Sequence, residues 1–420
     1  GGKMFDLIIR NAKVRGQKEL VDIGISGTKI RQILPKIKEK VKPQENEINA
    51  AGNLVTPTFI DPHIHLDKCL ISDSTPKNIS GTLKESIELT WERKKKYTVK
   101  DIVERAGKVI EWHILHGSTI IRTHIDIDTI GKLKTIEGML VVREKYKDLV
   151  NLEIVAFPQE GIIQDAGTQE LMDKAMAMGA DVVGGMPHNE MIESDGRRHI
   201  DICFELAKKY NKDIDMHVDE TDDPSSRTLQ YLAYKTIQEK YFGRVTAGHT
   251  CALAAYDDYY AAKVIAWVKQ AQINMITNPV TNLMIEGRLD KQPIRRGTTR
   301  IKELMEAGVN VSYGQDCVKD TFYPTWGQGD MLECGLVTAH AAQFTQIEQV
   351  EQLYEMITAN AAKILRLKDY GIEEGKTANL NVIDAPTIQE MFRTQADRLY
   401  VIRRGKVVAR TKTDSVIIKP

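Results

Sequence analysis

Eight short runs rich in β-branched and other apolar residues recur between residues 54 and 316, and most of them end in a polar residue. They are LVTPTFID (54–61), TIIRTHID (119–126), LEIVAFPQ (152–159), DVVGGMPH (181–188), DIDMHVDE (213–220), RVTAGHT (244–250), INMITNP (273–279) and NVSYGQD (310–316). Between most of them lie stretches with helical periodicity, such as TLKESIELTWERKKK (82–96), TQELMDKAMAMG (168–179) and TTRIKELMEAG (298–308). Strands that alternate with helices build a parallel sheet. Eight such units predict an α/β fold of the closed (β/α)8, TIM-type barrel class. A doubly wound open sheet is the alternative, but no GxGxxG loop follows the early strands.

The two ends read differently. FDLIIRNAKV and VDIGISGTKIRQIL lie in residues 4–53, and ANLNVID, RLYVIRRGKVVA and DSVIIKP lie in 376–420. Turn residues such as Ser26-Gly27 and Arg404-Gly405 sit between alternating apolar strands, the mark of hairpins. Both termini are therefore expected to form one small β-sandwich beside the barrel. The division expected is 4–56 for its first part, 57–370 for the barrel and 371–420 for its second part. Gly1-Gly2-Lys3 before Met4 reads as an expression scar and is left out of the fold.

FIDPHIHLD (59–67) places His63 and His65 one residue apart at the end of the first run. In a strand, residues i and i+2 point to the same side. An isolated pair of this kind is more often structural than functional, so what else arrives there decides. Chemistry in such barrels sits at the carboxyl ends of the strands. The second run delivers His124 and Asp126, the third Gln159 and Glu160, the fourth His188. The fifth brings His217, Asp219 and Glu220, the sixth His249, the seventh Asn278 and the eighth Asp316. Six of the ten histidines thus fall at one mouth, which favours a metal site.

His63, His65, His217 and Asp316 offer three nitrogens and one oxygen, with a position left open for water on one divalent ion. Such an ion lowers the pKa of water from about 15.7 toward about 7. Glu220, three residues beyond His217, can take the proton and return it, with Asp316 the next candidate for that role. His249 can hydrogen-bond the nucleophile from the other side. His124 and Asp126 read as supports rather than ligands, and His188 either lines the pocket or holds a loop. His113, His116, His199 and His340 read as surface or helix-packing residues, and Cys69, Cys203, Cys251 and Cys334 as small core residues.

Composition removes other classes of function. Lys plus Arg and Asp plus Glu number 58 each, so the chain has no general field for nucleic acid or an anionic membrane. The basic runs KIKEK (36–40) and ERKKKY (92–97) read as solvated faces. No apolar stretch approaches the roughly 20 residues of a membrane helix, and GGKMFDLIIR lacks a signal-peptide core. Five scattered cysteines without a CxxC pair suggest neither a disulfide framework nor a thiolate zinc site, and they fit a reducing cytoplasm. The expected partner is a small molecule.

The same stretches carry a resemblance. FIDPHIHLDK (59–68), VAFPQEG (155–161), HVDETDDPSSR (217–227), GHT (248–250), NPVTNLMIEGRLDKQPIRRGTTRIKELMEAGVNVSYGQD (278–316) and YGIEEGKTANL (370–380) are collinear across nearly the whole chain. The sequence resembles the amidohydrolase superfamily and, within it, the bacterial cytosine deaminases. That resemblance implies a mononuclear Fe2+ or Zn2+ site at His63, His65, His217 and Asp316, proton shuttling by Glu220 and positioning of the nucleophile by His249. It implies that Gln159 binds the amide edge of a small heterocyclic substrate, and it makes a homo-oligomer the expectation. GGMPH at the fourth run lacks a bridging lysine, which favours one metal over two.

The match departs where substrate is chosen. Cys317 stands where cytosine deaminases usually carry a second Asp, and Phe322 where they usually carry Trp. These changes make that wall more apolar and roomier, favouring a substrate with a methyl group. The expected activity is metal-dependent hydrolytic release of ammonia from the C–NH2 carbon of cytosine or a substituted cytosine. Creatinine deamination to N-methylhydantoin is the alternative, followed by N-alkylamino triazine or cyclic amide hydrolysis. A nucleophilic Cys317 is unneeded where metal-activated water is at hand. A catalytically dead scaffold would have no need of the ligand set together with Glu220.

Overall fold

Strand-forming segments from both ends of the chain meet in one β-sandwich. The computed structural model describes residues 5–39, 41 and 46–418. Gly1-Gly2-Lys3, Lys40 of the first basic run and the last two residues of DSVIIKP lie outside the described residues. β1 (Leu7–Ala12), β2 (Val21–Ser26), β3 (Lys29–Leu34) and β4 (Glu47–Asn49) form a sheet in the order β3-β2-β1-β4. A second sheet pairs β5 (Val55–Pro57) with strands from the far end of the chain, described below. Ile9, Ile23, Ile25, Val55, Leu380, Val382 and Ile402 pack between the two sheets.

The run LVTPTFID, read as one strand, is two. It breaks at Thr58 into β5, in the sandwich, and β6 (Phe59–Ile64), in the barrel. Pro57 has no N–H to carry a ladder onward. The chain then changes partners: Thr58 N–H donates to Asn379 O, and Phe59 N–H donates to Gly117 O.

Each of the other seven runs contains a barrel strand. They are β7 (Ser118–Asp126), β8 (Asn151–Phe157), β9 (Val182–Gly185), β10 (Asp213–Val218), β11 (Val245–His249), β12 (Asn274–Thr277) and β13 (Val311–Tyr313). The order from β6 to β13 is sequential and the pairings are parallel. The seam closes at the carboxyl end. Asp316 N–H donates to His63 O at 2.8 Å, and His65 N–H donates to Asp316 O at 3.0 Å. An open doubly wound sheet has no such seam.

Helices fill the intervals where the periodicity placed them. Leu83–Lys94 is capped by Thr82, whose side chain accepts from Glu85 N–H. Thr168–Met178 ends at Gly179 with φ 120°, and Ile301–Glu306 occupies the third predicted stretch.

The second sandwich sheet runs β16-β15-β14-β5, with β14 (Leu380–Ile383), β15 (Arg398–Arg403) and β16 (Lys406–Arg410). Both predicted hairpins are present. The β15–β16 turn has Arg404 at φ 48° and Gly405 at φ 77°, a left-handed pair that favours glycine. A Cβ on Gly405 would also collide with Gly27 O at the tip of the β2–β3 hairpin.

Two details of the C-terminal reading differ. A helix, Ile388–Thr394, lies between β14 and β15. DSVIIKP is not a strand: no strand spans its described residues, and Val416, Ile417 and Ile418 are exposed. Thr411 N–H still bonds Leu399 O, after which the described tail leaves the sheet.

Candidate active site

The barrel seam brings the first and last strands together, and the polar residues meet there. His63 Nε2 and His65 Nε2 each lie 3.3 Å from Asp316 Oδ1. His65 Nε2 is 3.1 Å from His217 Nε2, and the His217 ring stacks on Phe157 at 3.9 Å. All four predicted ligands are therefore in one buried cluster. His249 belongs to it as well: His63, His217, His249 and Asp316 each bring a ligand atom within 4.8 Å of the others.

Three residues of the site have left-handed backbone. His249, Thr250 and Asp316 adopt φ of 67°, 50° and 62°, a region costly to residues with a Cβ. It falls at the end of β11 and just beyond β13, where His249 and Asp316 join the cluster.

The electrostatics suit a cation. Burial, with neighbouring Lys68 and His63, holds His65 down to about 4 despite Asp316, so its ring is neutral and able to ligate. Burial and the surrounding imidazoles likewise keep His217 well below the usual histidine range. Burial works against ionised Asp316, but His249, His63 and His65 hold its pKa well below normal. Among the described residues, buried His63 Nδ1, His217 Nδ1 and Asp316 Oδ2 make no hydrogen bond. Buried polar atoms rarely remain unsatisfied, so the residues present fit a divalent ion of the iron or zinc type.

Glu220 sits in the loop after β10, 4% exposed. Burial, then the charge of Asp316, raises its pKa to about 8. Its Oε1 lies 3.0 Å from His249 Nδ1 and accepts from Asn282 Nδ2 at 3.0 Å. Asp219 beside it faces away: its carboxylate accepts from Ser226 Oγ, from Thr228 N–H and Oγ, and from Leu229 N–H, fixing the loop at the start of helix Thr228–Gln238. His188 holds the same loop, accepting from Asp219 N–H at 3.0 Å.

A pocket beside the cluster is lined by Gln159, Glu220, Cys317 and Phe322, all expected, and by Lys68, Leu83 and Thr281, which were not. Lys68 was visible in FIDPHIHLDK but carried no reading. It is 1% exposed, pairs with Asp126 Oδ1 at 2.7 Å and donates to Gln159 Oε1. Asn282 was equally visible, four residues after Asn278 and on the same side of the short helix Pro279–Ile285.

His124 and Asp126, expected as supports, lie against the cluster, and each also falls in a group that could hold an ion, His124 with His63 and Asp215, Asp126 with His65 and Asp67. His124 packs its ring on His63 at 4.2 Å, and Asp126 belongs to a buried ion network. That network corrects the reading of ERKKKY as a solvated face. Lys94 is 1% exposed and reaches Asp126 at 2.7 Å and Asp128 at 2.5 Å, while Lys95 and Lys96 are exposed. As the last residue of its helix, Lys94 can swing under the barrel mouth, where two carboxylates offset the desolvation of its charge. Removing one partner of a buried pair strands the others. Lys94→Ala should therefore lose about 3–5 kcal/mol of stability, read as a lower urea midpoint at unchanged slope. His113 and His199 are also buried, each 2.8 Å from a carboxylate, Asp61 and Glu190 respectively.

Residues 115–409 match the amidohydrolase family. The chain belongs to that family. Among solved structures, the amidohydrolase is similar to 5-methylcytosine deaminase from Klebsiella pneumoniae liganded with 5-fluorocytosine, at 37% identity and TM-score 0.94, covering 98% of this chain and 99% of that one. Among curated proteins it is 34% identical to N-isopropylammelide isopropyl amidohydrolase of Pseudomonas sp. (strain ADP), over 99% of both chains. It is 31% identical to a pterin deaminase of Rhizobium rhizogenes, over 94% of this chain and 89% of the relative. Like these relatives it is a hydrolase of carbon–nitrogen bonds in heterocycles. Among the described residues no helix is long and apolar enough to cross a membrane.

Proposed function

We propose that this amidohydrolase releases ammonia from the C–NH2 carbon of a 5-substituted cytosine, with 5-methylcytosine first. The observation that carries the reading is the pocket wall formed by Cys317 and Phe322. Both are buried, at 3% and 7% exposure, on the lining shared with Gln159 and Glu220. Burial pushes the Cys317 thiol well above its ordinary range, so this wall is neutral and can face a methyl group. Similarity to a 5-methylcytosine deaminase over nearly the whole of both chains supports the same substrate.

In this reading His63, His65, His217 and Asp316 hold one divalent ion, iron or zinc. The ion supplies a water nucleophile usable at neutral pH. Gln159 and Lys68 grip the ring's polar edge, while Phe157 and Phe322 pack against its flat surfaces. Glu220, its pKa raised to about 8, takes one proton from the attacking water and gives it to a ring nitrogen, then takes a second from the hydroxyl of the adduct and gives it to the leaving amine. His249 steers the attack from the other side.

The second reading is hydrolysis of an N-alkylamino triazine, favoured by similarity to the Pseudomonas enzyme. Rates on 5-methylcytosine, cytosine, N-isopropylammelide, pterin and creatinine, with ammonia and alkylamine measured separately, distinguish them. We expect kcat/KM to be highest for 5-methylcytosine. Discrimination by a single methyl is worth about 1–3 kcal/mol. Cys317→Asp should therefore lower the ratio of 5-methylcytosine to cytosine by about 10- to 200-fold. An unchanged ratio would refute this reading of the wall, and isopropylamine as the principal product would select the triazine.

A further inference from the structure

We infer that Asn282 is a positioning residue that sets the geometry of both Glu220 and His249; the catalytic effect rests on the function proposed above. Asn282 is 1% exposed, in the first turn of helix Pro279–Ile285 after β12. Its Nδ2 donates to Glu220 Oε1 at 3.0 Å, and its Oδ1 lies 3.0 Å from His249 Nδ1. Glu220 Oε1 is also 3.0 Å from His249 Nδ1. The three side chains close a triangle of polar atoms contributed by the loop after β10, the end of β11 and the helix after β12. The helix holds the amide rigidly: Asn282 N–H donates to Asn278 O, and Glu286 N–H donates to Asn282 O, each at 3.0 Å.

The two ends of a carboxamide have opposite hydrogen-bonding sense, and neither titrates. The NH2 end can only donate, so Glu220 Oε1 stays an acceptor throughout turnover and Oε2 is the oxygen left to carry the proton. The C=O end can only accept, so the His249 hydrogen resides on Nδ1 and Nε2 keeps its lone pair. Asn278 Nδ2 lies 3.4 Å from His249 Nε2 and 3.5 Å from Nδ1, so the tautomer is set by Asn282. One neutral side chain thereby chooses the working oxygen of the acid and the tautomer of the imidazole.

The test compares Asn282→Ala, Asn282→Asp and wild type, all metal-loaded. Asp is nearly isosteric but replaces the donor with an acceptor facing Glu220. If the donor matters, both variants should lose about 10- to 100-fold in kcat, the range for a hydrogen bond to a charged group. KM and metal content should change less than about twofold, because the amide leaves both ligands and pocket wall in place. In a Glu220→Gln background, Asn282→Ala should cost less than about threefold, since the two groups act as one unit. Near-wild-type kcat in Asn282→Asp, or a fully multiplicative double variant, would overturn the inference while leaving the proposed function standing. Crystal structures of the same proteins test it independently of activity. Glu220 or His249 should shift or rotate in Asn282→Ala, and wild-type placement of both would contradict the inference even if no heterocycle on the panel is turned over.

Discussion

Glu220→Gln should cut turnover steeply, to a small measurable residue, while leaving metal and fold intact. Glutamine has the shape of glutamate, so the bond from Asn282 to Glu220 Oε1 can be replaced by one to an amide oxygen. What disappears is the capacity to take a proton and give it back. Loss of a positioned general acid–base group costs about 10²–10⁴-fold in rate. We expect kcat to fall by at least that range, with metal content by elemental analysis equal to wild type. The position of Glu220 makes the expectation sharp: it is buried with its pKa raised to about 8, while His249, His63 and His65 push that of Asp316 well below the usual carboxylate range. A variant retaining a tenth or more of the activity would pass the proton role elsewhere, with Asp316 next in line.

His217→Ala should have the other large effect, and on a different observable. Its ring lies at the centre of the cluster, 3.1 Å from His65 Nε2, 4.7 Å centroid to centroid from both His63 and His249, and stacked on Phe157. Alanine removes one donor nitrogen and leaves a hole that water can enter. Losing even a group that merely supports a ligand weakens metal binding about 10–100-fold. Loss of the ligand itself should exceed about 100-fold. Metal titration should show substoichiometric occupancy at concentrations that saturate wild type, with activity lost in parallel. Full occupancy with full activity would remove His217 from the ligand set.

The barrel was legible because its signals are local. β-Branched runs closing in polar residues mark strands that are buried along their length and open at one end, and helical periodicity fills the gaps. The sandwich was legible for the same reason, through two hairpin turns. The errors came where tertiary partners decide. LVTPTFID looks continuous, yet Pro57 forces an exchange of sheets at Thr58. DSVIIKP has strand-like residues, yet its described residues lie outside both sheets. Lys94 sits in a run of four basic residues, and only the folded chain reveals two carboxylates beneath it.

The site divides in the same way. His63, His65, His217, His249 and Asp316 announced themselves as polar residues at apolar strand ends. Lys68 and Asn282 did not, because a lysine or an asparagine in a loop or helix start is ordinary in sequence. Their importance lies in what they touch across the barrel, Gln159 and Asp126 for one, Glu220 and His249 for the other. Such contacts leave no periodic trace.

The most direct test of a metal-dependent deaminase is ammonia release from 5-methylcytosine by metal-stripped protein as iron or zinc is added back. Activity should be absent at first, rise in proportion to added ion and level off at one ion per chain, with one ammonia formed per ring consumed. Full activity in the stripped protein, or consumption of the ring without release of ammonia, would contradict the account.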